Sequence, residues 1–181
     1  MLASGWQRLS QELPIVGRCA DVGDDLGSRV VTARLVRDLV HLASLVDRSW
    51  PPYPKWSGTA LARRTSAAAA PALMAALTAT TWERRERSLV EAIEVVHATQ
   101  RARGLPSTDT PVIPFYDRPY RTVDPDVTAR LTAAIADPVV ASLPAGVGSI
   151  EQWVDNVDVL TRPDRRAQVV ATWRAALGAD A

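Results

Sequence analysis

Apolar side chains recur with helical spacing along most of the first hundred residues. The longest run covers about residues 26–49, with apolar positions at Leu26, Val30, Val31, Leu35, Leu39, Leu42, Leu45 and Val46. Val36 and Val40 widen this face, so we predict a helix packed in the middle of the domain. Asp24 or Asp25 should cap it, because a carboxylate accepts a free N–H at the positive end of the helix dipole.

Shorter helices are expected on both sides of the long one. An amphipathic stretch over residues 2–13 should end at Pro14, because proline disfavours a helical conformation of its predecessor. Helices are also expected at about 57–66 and 69–79. A capping box at Thr80–Glu83 should open the next helix, at about 81–103. Its buried stripe should consist of Leu89, Ile93 and Val96, and Gly104 should end it.

The chain becomes rich in proline after residue 105, which predicts extended segments lying over the helices. Asp124–Pro125 has the form of a helix start, with the helix running to about residue 136. Further starts are expected at Ser149–Gln152 and at Thr161–Asp164, the latter helix closing at Gly178. No long alternating run predicts a sheet, although Thr122–Val123 could pair weakly.

We therefore predict an all-α fold: a helical bundle of about six to eight helices with a proline-rich extended C-terminal wrap. One domain is expected over residues 1–181, with its helical core at about 1–104 and small helices at about 105–181. A chain of 181 residues with 47% hydrophobic residues is long enough to bury one sizeable core.

Charge and cysteine content exclude several classes of protein. The formal net charge of +1 gives no reason to expect a nucleic-acid partner. A single cysteine, Cys19, cannot form an internal disulfide, and we expect no metal and no cofactor. The absence of a long apolar run and of an apolar N-terminal leader predicts a cytoplasmic protein without a membrane partner. The basic residues are almost all arginine, Lys55 being the one lysine.

Catalytic motifs are incomplete in this chain. Nucleotidyl transfer needs a Gly-Ser turn and two aspartates that hold divalent cations. Gly27–Ser28 and Asp38 are present, but Val40 stands where the second aspartate of an Asp-x-Asp pair would be. The enzyme assignment therefore stays open, and catalysis by this chain alone is not expected.

Arg34 and His41 are seven residues apart on the long helix, hence on one face. An arginine that holds a phosphate and a histidine that moves a proton could support metal-independent RNA cleavage. Helical ribonuclease toxins use an Arg-x4–6-His motif that this spacing fits. The alternative interpretation, which we favour, is an ordinary polar edge of a buried helix. His97 is expected to be a hydrogen-bonded core or boundary residue.

An aromatic loop at residues 50–56 is the most distinctive local feature, with the sequence Trp-Pro-Pro-Tyr-Pro-Lys-Trp. Its rings and Lys55 could stack a base and hold a phosphate. The favoured interpretation is that the rings pack the proline-rich turn onto the helical core. The segment 115–121 is similar: Arg118 could line an anion pocket or pair with nearby aspartates.

Several segments together resemble domain-of-unknown-function family 4037, a helical region found C-terminal to nucleotidyltransferase-like domains. They are Val16–Arg18, Val22–Arg29, Arg34–Leu39, Pro52–Thr59, Asp117–Arg121 and Gly148–Asp155, and the resemblance extends over nearly the whole chain. It implies an accessory helical domain whose catalytic part is absent from these residues. The chain would then be a truncated piece, a degenerate relative or one half of a two-gene system.

Three hypotheses follow. The first is a non-catalytic, substrate-binding accessory domain of a nucleotidyltransferase-like domain or subunit, which takes a nucleotide or another anionic small molecule. Its cleft would lie between the long helix and the loops at 50–56 and 115–121, lined by Arg34, Arg37, Tyr53, Lys55, Trp56, Arg118 and Tyr120. The second is a metal-independent ribonuclease that uses Arg34 and His41. The third is a structural or oligomerisation domain, and the oligomeric state is not predicted.

Overall fold

The computed structural model describes residues 1–143, 152, 154 and 156–176, and its helices confirm the predicted all-α fold. In chain order the helices are α1 (Leu2–Arg18), α2 (Asp25–Val46), α3 (Ser57–Leu61), α4 (Ala70–Thr78), α5 (Trp82–Ala102), α6 (Pro125–Ala133), α7 (Pro138–Ala141), α8 (Val157–Leu160) and α9 (Pro163–Ala176). The helix predicted to begin at Ser149 and the end predicted at Gly178 lie outside the described residues.

Helix α1 runs through Pro14, so the predicted end at this residue is wrong. A proline has no N–H to donate to the carbonyl four residues earlier, here that of Ser10. The hydroxyl of Thr122 donates to the Ser10 carbonyl instead, across 2.8 Å. A distant side chain thus replaces the missing helical hydrogen bond, and the helix continues.

Helix α2 begins as predicted, because the Asp24 side chain accepts a hydrogen bond from the Gly27 N–H at 2.7 Å. The predicted burial of two apolar positions in its first turns is wrong: Leu26 is 73% exposed and Val30 is 60% exposed. Ser28 and Thr32 face the interior instead. Their hydroxyls donate to backbone carbonyls, which removes most of the cost of burying them.

The core forms around α1, α2 and α5, and Val123 together with Val127 and Leu131 of α6 extends it. Leu89, Ile93 and Val96 are buried as predicted. Helix α5 begins one residue later than the capping box predicted, since the Thr81 hydroxyl accepts from the Arg84 N–H. Gly104 has a φ of 70°, the left-handed conformation expected beyond a helix end.

His97 is 3% exposed, which confirms the prediction of a core histidine. Its ring contacts the Trp6 indole edge-on, with centroids 5.9 Å apart. Its Nε2 accepts from the Thr108 N–H at 3.3 Å. These contacts hold the extended segment that follows α5 against α1.

The proline-rich segment contributes a short antiparallel ladder between β1 (Val112–Pro114) and β2 (Arg121–Val123). Val112 pairs with Val123, so the weak pairing expected around Thr122 belongs to a small sheet that sequence analysis did not predict. Helix α6 follows with Asp124 as its cap and Pro125 in its first turn, as predicted. Asp137–Pro138 repeats this arrangement and opens α7, which was not predicted.

Candidate functional site

A polar groove of about 250 Å³ lies between α1 and α2. Helix α2 contributes Arg34, Arg37 and His41, all three singled out from the sequence. Helix α1 contributes Arg8 and Glu12, which sequence analysis missed. We call this cavity the α1–α2 groove.

Ion pairs connect the two helices along the groove. Glu12 Oε1 lies 2.8 Å from Arg34 Nη2 and 3.5 Å from Arg8 Nε. Asp38 Oδ2 lies 3.0 Å from Arg8 Nε, and Asp38 Oδ1 lies 3.6 Å from Arg37 Nη1. The result is an alternating network of three guanidinium groups and two carboxylates.

The carboxylates of Glu12 and Asp38 lie deep in the groove, whereas Arg34 of α2 lies near its mouth. The Asp38 side chain is 10% exposed and that of Glu12 is 13% exposed, against 53% for Arg34. Burial raises the pKa of Asp38 above its ordinary value, and the Arg8 and Arg37 charges oppose this shift only in part. The floor of the groove therefore carries a carboxylate that is less acidic than usual.

The aromatic loop leaves the groove at Pro51, which lines it. Trp50, Tyr53 and Trp56 are each more than half exposed, so the interpretation that these rings pack the turn onto the core is wrong. Lys55 Nζ lies 5.1 Å from the Trp56 ring centroid and 6.0 Å from that of Tyr53. These rings are available for contact with another molecule.

Five of the seven predicted ligand-binding residues do not line the groove: Tyr53, Lys55 and Trp56 belong to the aromatic loop beyond Pro51, and Arg118 and Tyr120 lie elsewhere. Arg118 and Tyr120 line a separate cavity with Arg18 and Asp21, so the structure does not bring them to the α1–α2 groove. Tyr120 is buried, and its hydroxyl donates to the Asp21 carboxylate, which raises the pKa of the tyrosine. Its ring packs edge-on against Trp82, with centroids 5.4 Å apart. This packing leaves Tyr120 poorly placed to stack on a ligand.

The Gly27–Ser28 segment belongs to α2 rather than to a turn between strands. The Ser28 hydroxyl donates to the Val16 carbonyl at 2.8 Å and accepts from Arg85 Nε at 3.1 Å. This serine therefore joins three elements of the core. Within the described ranges, no three His, Cys, Asp or Glu side chains are grouped so as to hold a metal ion.

One signal in the sequence marks the residues that α1 contributes to the groove. Arg8 and Glu12 are spaced i, i+4 on the polar side of a helix that precedes the arginine-rich helix. Gln152 also lines the groove, and its backbone carbonyl accepts from Arg8 Nη1. Its separation of 144 residues from Arg8 leaves no local signal.

No helix in the described part of the chain combines the length and the apolar content needed to cross a membrane.

Searches of curated proteins and of solved structures find no match to this chain. Residues 1–57 match the family model described as "Domain of unknown function (DUF4037)". The match ends well short of the near-complete coverage expected from the sequence. Apart from Gln152, every residue that lines the α1–α2 groove falls inside it. The resemblance to this domain of unknown function is thus confirmed for residues 1–57, the part of the chain that contains α1, α2 and the aromatic loop.

Proposed function

We propose that this chain is a non-catalytic helical binding domain that takes an anionic small molecule, such as a nucleotide, in the α1–α2 groove. The observation that carries the proposal is the convergence of three guanidinium groups, those of Arg8, Arg34 and Arg37, in one cavity. Two carboxylates accompany them, so the network keeps an excess of positive charge. Guanidinium groups bind phosphate through two parallel N–H donors, which suits this role.

Arg34 and Arg37 are the side chains that we assign to the ligand's phosphate. Their side chains are 53% and 33% exposed, so a ligand reaches them without unfolding of the helices. Before a ligand binds, Glu12 Oε1 lies 2.8 Å from Arg34 Nη2. Solvent screens this ion pair at its exposed Arg34 end, so a phosphate can compete for the guanidinium group.

The aromatic loop is assigned to the rest of the ligand. Trp50 and Trp56 present exposed indole faces, and Pro51 places the beginning of this loop at the rim of the groove. Base stacking on an aromatic ring is worth about 1–3 kcal/mol. A nucleotide held by its phosphate in the groove could therefore gain affinity from the loop.

The same proposal gives this chain an accessory role beside a catalytic partner. We assign any transfer chemistry to a nucleotidyltransferase-like domain or subunit, because Val40 replaces the second aspartate and Ser28 is committed to the core. A cytoplasmic location also stays a proposal. Oligomerisation, the third hypothesis, stays a prediction.

The test is titration of the full chain with AMP and with inorganic pyrophosphate, followed by tryptophan fluorescence and calorimetry. We expect saturable binding that weakens about tenfold or more in Arg34→Gln and in Arg37→Gln, since a charged hydrogen bond contributes about 1.5–3 kcal/mol. Arg118→Gln is the matched control, because this arginine lines the other cavity. Absence of saturation at millimolar concentrations, or an equal loss in the control, would overturn the proposal.

A second candidate function is metal-independent ribonuclease activity, favoured by one observation: Arg34 and His41 line the same groove. The test is incubation with RNA in EDTA. Cleavage that is lost in His41→Ala supports this function, and RNA left intact by the wild-type chain rejects it.

A further inference from the structure

The turn that joins β1 to β2 carries a strained aromatic residue. The Phe115 carbonyl accepts a hydrogen bond from the Arg118 N–H at 3.1 Å, which places Tyr116 at the second position of a tight turn. Tyr116 has a φ of 54°, a conformation for which turns favour glycine or asparagine, and the residue is 83% exposed. Neither backbone preference nor burial accounts for a tyrosine here. Strained residues cluster at ligand-binding sites, so this one points to a ligand.

A cavity of about 490 Å³ lies beside this turn, and we call it the turn cavity. Arg18 of α1 lines it together with Asp117 and Arg118. Within the described ranges, none of these three side chains forms an ion pair or a hydrogen bond. The hydrogen bond to Asp21 raises the pKa of Tyr120, and the charges of Arg118 and Arg18 oppose this rise. Both guanidinium groups therefore lie near one hydroxyl, with a carboxylate left over beside them.

This combination of charges fits the zwitterion of a free amino acid. Two guanidinium groups bind a carboxylate through N–H donors, and Asp117 can accept hydrogen bonds from an ammonium group. The end of a peptide chain carries only one of these two groups. Two aspartates balance the two arginines of this cavity, so a phosphate is less favoured here than in the α1–α2 groove.

The apolar lining of the turn cavity suits an aromatic side chain. Val22, which is 80% exposed, lines it together with the rings of Phe115 and Tyr116. These two rings pack edge-on, with centroids 4.9 Å apart. Aromatic rings prefer such edge-on or offset contacts with one another, so an exposed tyrosine can add a third ring.

We infer that the turn cavity is a second binding site, specific for a free amino acid with an aromatic side chain. Arg18 and Arg118 hold the ligand's carboxylate, Asp117 holds its ammonium group, and Tyr116 contacts its ring. The inference is independent of the proposed function, because the α1–α2 groove has none of these residues in its lining.

The experiment is calorimetry on the full chain with L-phenylalanine, with 3-phenylpropanoate, which lacks the ammonium group, and with 2-phenylethylamine, which lacks the carboxylate. We expect saturable binding of L-phenylalanine, about tenfold or more tighter than that of either analogue. Arg118→Gln should weaken L-phenylalanine and phenylpropanoate but spare phenylethylamine. Asp117→Asn should weaken L-phenylalanine and phenylethylamine but spare phenylpropanoate. Arg34→Gln is the matched control, because this arginine lines the other cavity.

Tyr116→Gly separates a ligand contact from a structural role. It should weaken L-phenylalanine binding about threefold or more. Its melting temperature should stay level or rise by about one to three degrees, because glycine adopts a positive φ without strain. A lower melting temperature or an unchanged affinity of this variant would overturn the inference. So would a lack of saturation by L-phenylalanine at millimolar concentrations, or equal affinity for L-phenylalanine and phenylpropanoate.

Discussion

The indole Nε1 of Trp6 donates a hydrogen bond to Oε1 of Gln100 across 2.6 Å, joining α1 to α5 in the interior. Gln100 Nε2 in turn donates to the Pro106 carbonyl. One buried amide therefore ties both helices to the extended segment after α5.

Gln100→Leu should destabilise the fold by about 2–4 kcal/mol, because it leaves the buried Trp6 N–H without an acceptor and the half-buried Pro106 carbonyl without its donor. The free energy of unfolding in urea measures this loss. Gln11→Leu, an exposed change on α1, is the control and should cost little. A loss in Gln100→Leu no larger than in this control would contradict the assigned role.

Thr122→Val should cost about 1–3 kcal/mol of stability, because the Ser10 carbonyl then loses its donor. The cost should shrink in a Pro14→Ala background, in which residue 14 regains an N–H for that carbonyl. Equilibrium unfolding of the four members of this double-mutant cycle gives the coupling. Thr132→Val, on an exposed face of α6, serves as the control. Additive effects would show that Thr122 does not replace the missing bond.

Gly17→Ala should destabilise the chain by about 1–3 kcal/mol, because a β-carbon there would overlap the Tyr120 ring and lie 3.0 Å from Trp82. Gly58→Ala is the matched control, since no atom lies within 4 Å of its β-carbon position. Thermal unfolding should separate the two variants clearly. Equal melting temperatures would mean that α1 does not approach the Tyr120 ring this closely.

The pH dependence of stability should contain a contribution from Asp38. Burial raises its folded-state pKa above the ordinary 3.8, so at pH values between the unfolded-state and folded-state pKa the folded state holds a proton that the unfolded state has released. Stability from this group is therefore present below pH 3.8 and is lost as the pH rises through the folded-state pKa.

Asp38→Asn should remove this loss of stability with rising pH. Urea unfolding at several pH values measures it as a change, relative to the wild-type chain, in the slope of the unfolding free energy against pH. Asp109→Asn should keep the wild-type slope, because its side chain is exposed. A slope unchanged by Asp38→Asn would contradict the assigned burial.

Trp56→Ala should leave the melting temperature within about two degrees, because the ring is exposed and a surface change usually costs no more than about 0.5 kcal/mol. The same variant should weaken AMP binding about fivefold or more if the loop stacks the base. Differential scanning fluorimetry and calorimetry measure the two effects separately. Unchanged affinity would remove the aromatic loop from the proposed site.

Features fixed by a few neighbouring residues were predictable from the sequence. The caps at Asp24 and Asp124 and the helix end at Gly104 depend on local hydrogen bonds and backbone angles, and all three were found as expected. The continuation of α1 through Pro14 depends on Thr122, which no local pattern indicates.

The candidate site was predictable only in part, for a similar reason. Arg34, Arg37 and His41 share a face because helical spacing places them there. The separation of Arg118 from them depends on how the segment after α5 crosses the bundle. The predicted burial of Leu26 is wrong for another reason. Periodicity identifies the apolar face of a helix, but the neighbouring elements decide which part of that face is covered. The single-domain organisation stays a prediction.

The placement of the groove in the first fifty-odd residues has a consequence for synthesis on the ribosome. Helices α1 and α2 emerge before α5, whose Leu89, Ile93 and Val96 belong to the same core. Domains complete their packing only once the contributing elements have been translated. A nascent chain therefore carries nearly all of the groove's side chains before the scaffold that holds them exists, and ligand capture has to wait until α5 has been translated.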